Sequence, residues 1–163
     1  MHDDLVKETA QELSDGAATL FEEESAKMWR SLLLSTADPE LASDAVAEAF
    51  AQLLRRGEGV RDPRAWVWKT ALRIADREAA RQPPPLTNEP IDYVLAEPII
   101  DLVRALRTLS PMQRAAVVLH HIGDLPVTEV ASILGSTRSA VTVHLHRGRK
   151  RLRTILEETD DDT

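Results

Sequence analysis

Between Ser136 and Arg153 the chain carries six Arg or Lys residues, Arg138, Arg147, Arg149, Lys150, Arg151 and Arg153, and no Asp or Glu. Cations gathered without counter-charge neutralise phosphates, while short uncharged side chains ahead of them let a backbone come close to base edges. That division points to duplex DNA, with Arg138, Ser139, Thr142, Val143 and His146 for the bases and Arg147, Arg149 and Lys150 for the phosphates. Val143 suits a thymine methyl. A second set, Lys69, Arg73, Arg77 and Arg81, recurs every four residues, and Trp66 stands three and seven residues before its first two members. A cationic row beside an aromatic ring is the composition that holds single-stranded DNA, the ring stacking on an unpaired base. The alternative is a solvated row with Trp66 packed against its own helix, and Trp68 is read as such a packing residue.

Two helices and a turn must position the first set. Ser110 is a good N-cap, Pro111 suits a position where a missing N–H costs nothing, and Gln113 completes a capping box. These signals predict a helix from Pro111 to about His121, stopped by Gly123. A second helix begins near Pro126 or Val127, buries Val127, Val130, Ala131 and Leu134, and ends at Gly135. Thr137 caps a third, along which Val141, Leu145, Gly148 and Leu152 form one buried stripe. Ser139, Val143, His146, Arg147, Lys150 and Arg153 lie opposite. A short helix, a Gly-containing turn and a longer basic helix make a helix-turn-helix that reads DNA. Glu97-Pro98 opens a supporting helix with Ile99, Val103, Leu106 and Leu109 on its buried side.

Leu109-Ser110-Pro111-x-Gln113-Arg114, Leu125-Pro126-Val127-x-Glu129-Val130-Ala131-x-x-Leu134-Gly135, Ala140-Val141 and Leu145-His146-Arg147-Gly148-Arg149-Lys150-Arg151-Leu152-Arg153 together resemble region 4 of bacterial RNA polymerase sigma factors, in particular the extracytoplasmic-function group. The Leu-His-Arg-x-Arg-x-x-Leu-Arg ending separates the segment from the LuxR-type helix-turn-helix. Thr142 and His144 stand where the family often has Lys and Arg, which implies an altered upstream recognition sequence. His144 is expected toward the core side.

The chain has 163 residues, 43% of them hydrophobic, and a net charge of −7. Ala, Leu, Glu and Arg abound and no β-branched run of period two occurs, so the expected fold is all-α. Residues 1 to 50 hold twelve Asp or Glu against three Lys or Arg, a balance of −9. Such polarity makes the free protein a poor nonspecific DNA binder and calls for a partner that presents it to DNA. The absence of cysteine excludes disulfides, thiol catalysis and Cys-based zinc sites. His2, His120, His121, His144 and His146 are read as surface or groove-facing, with His120 and His121 pointing apart, so no metal and no cofactor is expected. No nucleophile motif, Gly-rich phosphate loop or carboxylate cluster with a His stands out, and no enzyme activity is expected. No apolar run reaches membrane-span length and the N-terminus lacks the features of a signal peptide, which leads to a cytoplasmic location without a membrane partner.

Residues 1 to 14 read as an acidic extension, mobile or loosely helical. A helix over about Asp15 to Leu34 follows, with Leu20, Phe21, Met28, Trp29, Leu32 and Leu33 on its apolar side. Asp38-Pro39 with Glu40 opens a helix to about Arg56 that buries Leu41, Ala45, Ala49, Phe50, Leu53 and Leu54 before Gly57 ends it. Its outer face includes Ser43, Asp44, Ala47, Glu48, Ala51, Gln52, Arg55 and Arg56. Gly57-Glu58-Gly59 reads as a flexible connection. Asp62-Pro63 repeats the cap-plus-proline start for the helix carrying the Trp66 row, whose core side is Val67, Ala71, Ile74 and Ala75. Pro83-Pro84-Pro85, Pro90 and Pro98 forbid continuous helix and mark residues 82–97 as a linker. Past Leu156 the acidic tail is expected to fray.

Asp44-Ala45-Val46-Ala47-Glu48-Ala49-Phe50 resembles sigma region 2.2, which docks on the β′ clamp helices of the polymerase. Ala47 replaces the usual Gln, and Asp44, Glu48, Gln52 and Arg55 are the residues the resemblance nominates for core binding. Pro63-Arg64-Ala65-Trp66-Val67-Trp68-Lys69 resembles the start of regions 2.3 and 2.4, which implies promoter melting through Trp66, Lys69, Arg73 and Arg77. Leu72-Arg73 aligns with the family's Arg-Asn pair and Arg77 with its later Asp, so promoter recognition here is expected to differ. The resemblance implies an extension at 1–14, a region 2-like domain over 15–81, a linker over 82–97, a region 4-like domain over 98–157 and an acidic tail over 158–163. It implies a promoter-specificity subunit whose partners are core RNA polymerase (β′ clamp helices and β flap), duplex promoter DNA, its nontemplate single strand and an anti-sigma factor. Two rival readings are a sigma-like protein that binds polymerase or an anti-sigma factor without initiating, and a conventional dimeric helix-turn-helix regulator.

Overall fold

The computed structural model describes residues 2–81 and 97–161. The proline-rich linker expected over 82–97 lies outside the described residues except for Glu97. All regular structure among the described residues is helical: α1 (His2–Thr36), α2 (Pro39–Arg56), a 3₁₀ turn (Gly57–Gly59), α3 (Pro63–Arg81), α4 (Glu97–Arg107), α5 (Pro111–Val117) continuing into a π-helical turn (Val118–Ile122), α6 (Val127–Leu134) and α7 (Arg138–Asp161).

The helix starts follow their caps. Asp38 Oδ1 accepts from the Leu41 amide at 3.0 Å and Asp62 Oδ1 from the Ala65 amide at 3.1 Å, each satisfying an amide that the first turn would leave unpaired. At α5 the capping box is reciprocal: Ser110 Oγ accepts from the Gln113 amide at 3.3 Å, and Gln113 Oε1 accepts from the Ser110 amide at 3.4 Å. Gly57, at φ 62°, ends α2 in a conformation other residues rarely adopt.

Three expected boundaries differ. α1 runs unbroken from His2 through the position near residue 14 where a separate extension was expected to end. Helical propensity and long α1 contacts with α2 and α3 outweigh the charge density of its first turns. The 57–59 connection is a 3₁₀ turn, and α7 continues through the acidic stretch to Asp161 instead of fraying after Leu156.

α1, α2 and α3 pack on one another through Met28, Leu32, Leu33, Ala45, Ala49, Phe50, Leu53, Val67 and Ala71. Phe21 meets Phe50 edge-on, ring centroids 5.0 Å apart. Leu54, expected in this core, is 53% exposed, because it sits nearly a third of a turn round from Leu53. In the second half α4, α5 and α6 pack against α7. Ile100 is buried there and Ile99 is 38% exposed, and Ile133 is buried where Val127 and Leu134 are only half-buried. The two halves share one continuous core: α1 touches α4 and the π-helical turn, and α3 touches α6.

Candidate nucleic-acid interface

The helix-turn-helix is built as its sequence dictates. Gly135 adopts the left-handed conformation at φ 61° that ends α6, and the Ser136 amide returns to the Ala131 carbonyl at 2.9 Å. Two residues later α7 begins, with Thr137 Oγ1 accepting from the Ala140 amide at 3.1 Å. Val141, Leu145, Gly148 and Leu152 are buried, as their spacing requires. Gly148 is where α7 meets α5 most closely: a Cβ there would lie 2.8 Å from Val117 Cγ2.

With that stripe inward, Arg138, Ser139, Thr142, Val143, His146, Arg147, Arg149 and Lys150 are all exposed. Val143 stands 45% exposed. Thr142 donates its hydroxyl to the Arg138 carbonyl at 2.8 Å, so that group is already engaged within the helix. His144 is half-buried with its Nδ1 buried and unpaired, on the core side as expected. Between α5 and α7, Gln113, Arg147, Lys150, Arg151 and Thr154 line a cationic groove. Such a groove suits a phosphate backbone running beside the reading helix.

The α3 surface is built differently. Lys69, Arg73 and Arg77 are exposed, and Arg81 pairs with Glu78 at 3.1 Å. Trp66 is half-buried, and the Arg56 guanidinium of α2 lies over its ring, 5.9 Å from the centroid. A base stacking on that face would have to share or displace Arg56. Leu72 is buried at 9% exposure and faces Ala115, Val118 and Leu119, so it offers nothing to DNA.

On the outer face of α2, Glu48 Oε1 accepts from Arg55 at 2.8 Å and from Gln52 Nε2 at 3.0 Å, with Asp44 exposed one turn before. The hydrogen bonds from Gln52 and then Arg55 hold the Glu48 carboxyl below its ordinary range. These three side chains are therefore pre-arranged as one polar unit on a solvent-facing helix.

Sequence reasoning missed a third cluster, between the halves. Glu24 of α1 is 5% exposed and accepts from Trp68 Nε1 at 2.8 Å and from Arg64 Nε at 3.0 Å. The same Arg64 donates through Nη1 to Glu129 of α6 at 2.6 Å, so one guanidinium ties the α1–α3 pair to the helix-turn-helix. Burial opposes the Arg64 charge, but the Glu24 hydrogen bond and the charges of Glu24, Glu129 and Asp62 outweigh it and hold its pKa above the usual value. The edge of the Trp68 ring rests on Gly123: a Cβ there would be 2.8 Å from Trp68 Cη2. Local pattern flagged Gly123 only as a helix stop and did not single out Glu24.

His120 and His121, expected to point apart, have ring centroids 4.8 Å apart at 72°, because the π-helical turn brings consecutive side chains closer to one face. His120 Nδ1 lies 2.8 Å from the Leu125 carbonyl, and burial, with His120 and Arg149 nearby, lowers the His121 pKa. Among the described residues no group of His, Asp and Glu has the arrangement of a metal site.

Comparison with known proteins agrees with this geometry. Residues 99–152 match the family described as Sigma-70, region 4. The RNA polymerase sigma-E factor of Streptomyces antibioticus is 31% identical over 136 residues, covering 77% of this chain and 76% of the relative. That of Streptomyces coelicolor is 30% identical over 136 residues, covering 77% of each. The solved structure of CnrH in complex with the cytosolic domain of CnrY superposes with a TM-score of 0.73 at 19% identity, over 94% of this chain and 96% of that one. The sigma factor RpoE of Bartonella quintana, solved with the anti-sigma factor NepR, gives 0.64 at 19% identity over 90% and 98%. These two carry the all-α fold, and the sequence relatives carry the family. The chain belongs to the extracytoplasmic-function group of RNA polymerase sigma factors.

Proposed function

We propose that this sigma factor divides its task in transcription initiation between two DNA-facing surfaces and one polymerase-facing helix. The outer face of α2, with Asp44, Glu48, Gln52 and Arg55, docks on core RNA polymerase at the β′ clamp helices, and the C-terminal half meets the β flap. Trp66, Lys69, Arg73 and Arg77 of α3 hold the nontemplate strand as the promoter opens. Arg138, Ser139, Thr142, Val143 and His146 read the upstream element in the duplex, and Arg147, Arg149 and Lys150 fix the register on its phosphates. The N-terminal unit is assigned to residues 15–81 and the C-terminal one to 98–157.

The observation that carries the reading is the α7 tip: a capped helix presenting eight exposed candidate readers and phosphate contacts, free of acidic residues from Ser136 to Arg153, on a chain of net charge −7. A chain this acidic gains DNA affinity only where its charge is locally reversed and a partner delivers it, which is the arrangement of a polymerase subunit. Binding energy, not a covalent step, drives opening: captured unpaired bases offset the cost of unstacking. No helix among the described residues is long and apolar enough to cross a membrane, and the reading assigns the protein to the cytoplasm. An anti-sigma factor, the partner in the solved complex of the Bartonella quintana relative, is assigned as the protein that withholds it from polymerase.

Two pairs of variants test the division. Arg73→Ala with Arg77→Ala is expected to reduce permanganate-detected strand opening at least tenfold while core polymerase still binds; equal loss of both would contradict the role of the row. Arg138→Ala is expected to change the preferred upstream sequence, whereas Lys150→Ala should weaken all sequences alike and lower the salt-dependence slope by about one. An unchanged preference profile for Arg138→Ala removes it from the readers.

The second reading, a sigma-like protein that binds polymerase without initiating, is favoured by one observation, the burial of Leu72 where the resemblance places an Arg of the melting region. It predicts core binding without transcription start sites.

A further inference from the structure

The first half of α1 stands beside the connection between α2 and α3 without filling the space between them. A cleft of about 590 Å³ remains, walled by Leu13, Ala17 and Leu20 of α1 on one side and by Leu53, Leu54 and Val60 on the other. It continues as a more open trough toward the start of α1, past Leu5 and Val6. Leu5, Val6 and Leu54 are 58%, 56% and 53% exposed, the three most exposed large apolar side chains among the described residues. Apolar surface gathered along one cleft and rimmed by polar groups is the mark of a binding surface, where scattered exposed side chains would not be.

Gly16 lines the same cleft from inside α1, where glycine is less favourable than alanine. Its backbone is not in the left-handed region, and a Cβ there would meet nothing from elsewhere in the chain within 4 Å. Gly123 and Gly148, by contrast, abut Trp68 and Val117. The fold of this chain therefore does not require glycine at position 16, whereas a second helix laid in the cleft would gain close approach from Gly16 and the small Ala17. Leu13, Ala17 and Leu20 recur at helical spacing, a ridge that interdigitates with the side chains of such a helix. The rim is acidic: Glu12 and Glu23 on α1, with Glu58 and Asp62 across from them, are exposed. None of the four lies within 4.0 Å of a cation among the described residues. Arg64, the cation lining the cleft, is already committed to Glu24 and Glu129. Such a rim repels phosphates and anionic headgroups and attracts Lys and Arg.

We infer that the cleft is a docking site for a basic amphipathic helix of a partner protein. Its aliphatic stripe sits between α1 and the α2–α3 connection, and its flanking Lys or Arg side chains meet the four carboxylates. From Leu5 to Glu23 the α1 wall is about 27 Å long at about 1.5 Å per residue, room for about five turns of the partner. The site goes beyond the sigma reading, since it shares no residue with the promoter-reading, strand-holding or polymerase-facing sets. It does border one of them: Arg56 lines the trough and lies over the Trp66 ring.

The probe is a fluorescein-labelled peptide of about 18 residues, with Leu at i, i+3, i+4 and i+7 and Lys on both flanks, titrated with the full chain by anisotropy at physiological salt. Two controls accompany it: a peptide of the same composition in shuffled order, and one with Glu in place of every Lys. The Lys peptide is expected to bind at least tenfold tighter than either control. Leu54→Gln and Gly16→Leu should each weaken it at least tenfold, while Met112→Gln, at an exposed apolar position elsewhere, leaves it unaltered. Gly16→Leu should at the same time raise Tm, because it puts a better helix former into open space. Docking and fold stability then move in opposite directions, which damage to the fold would not produce. A Lys peptide that binds no tighter than the controls would overturn the inference, as would undiminished binding to Leu54→Gln and Gly16→Leu. Labelled single-stranded DNA that bound tighter than the Lys peptide and was lost in the same two variants would give the cleft to nucleic acid and overturn it too. The readout involves no transcription, so a failure of the sigma reading leaves this test intact.

Discussion

The two cation-bearing helices, α3 and α7, present similar charges from different foundations. α7 rests one stripe, Val141, Leu145, Gly148 and Leu152, on the helices of its own half, and apart from the half-buried Ala140 and His144 the rest of its first four turns is exposed. α3 has no such freedom: Val67, Ala71 and Ala75 pack into the α1–α2 core, Trp68 and Leu72 face the C-terminal half, and Lys69, Arg73 and Arg77 occupy what remains. A helix anchored on one side can change its readers without touching the fold. A helix packed on two sides couples DNA opening to the arrangement of the whole chain.

The largest test of that contrast pairs Trp68→Ala with Leu145→Ala. Each large-to-small change in a core costs about 3–5 kcal/mol for Trp and about 2–5 for Leu. For a chain of this size that is a fall in Tm of roughly 10 °C. Hydrogen exchange separates the two: Trp68→Ala should deprotect amides in both α1 and the Val118–Ile122 turn, and Leu145→Ala only those of α5, α6 and α7. Deprotection of α1 by Leu145→Ala would erase the distinction.

Glycine-to-alanine changes sharpen it at smaller scale. Gly123→Ala places a Cβ against the Trp68 ring and the Leu119 carbonyl, and Gly148→Ala places one against Val117. Overpacking of this kind costs about 1–3 kcal/mol in each case. Gly123→Ala should also disturb the near-ultraviolet signal of Trp68, while Gly148→Ala should leave it and weaken duplex binding by tilting α7.

The smallest effect concerns acid. Partial desolvation raises the Asp76 pKa although Arg114 opposes it, so the folded state penalises the charged carboxylate. Between its unfolded and folded pKa values the folded state binds more protons, and the penalty is therefore lifted as pH falls. Asp76→Asn should stabilise the protein slightly at pH 7 and flatten this part of the acid dependence; a loss of stability at pH 7 would show that the Arg114 attraction dominates.

The helix-turn-helix was legible almost residue by residue because its determinants are local: a capping box over three residues, a left-handed Gly135, a Thr137 cap and a stripe with helical spacing. Even there the π-helical turn escaped notice, since His120 and His121 carry no local mark of an extra residue in the turn. In the first half the periodicity located α2 and α3, yet Leu53 and Leu54 could not be told apart, and Leu54 is the exposed one. The contact between the halves left no trace in pattern. Glu24, Arg64 and Glu129 are separated by 40 and 65 residues, each lies on a helix face that reads as solvated, and only tertiary packing makes Glu24 a buried acid. Charged residues are read as surface by default, so a buried ion bridge is the feature a single sequence conceals best.

Start-site mapping tests the central claim most directly: core RNA polymerase, the purified protein and a library of genomic promoter fragments, with every transcript 5′ end sequenced. The expected result is a set of discrete starts that appear only with the protein and share two spaced upstream elements, the distal one shifting in sequence for Arg138→Ala. Polymerase that binds the protein yet yields no protein-dependent starts would contradict an initiating role and leave the non-initiating, polymerase-binding reading in its place.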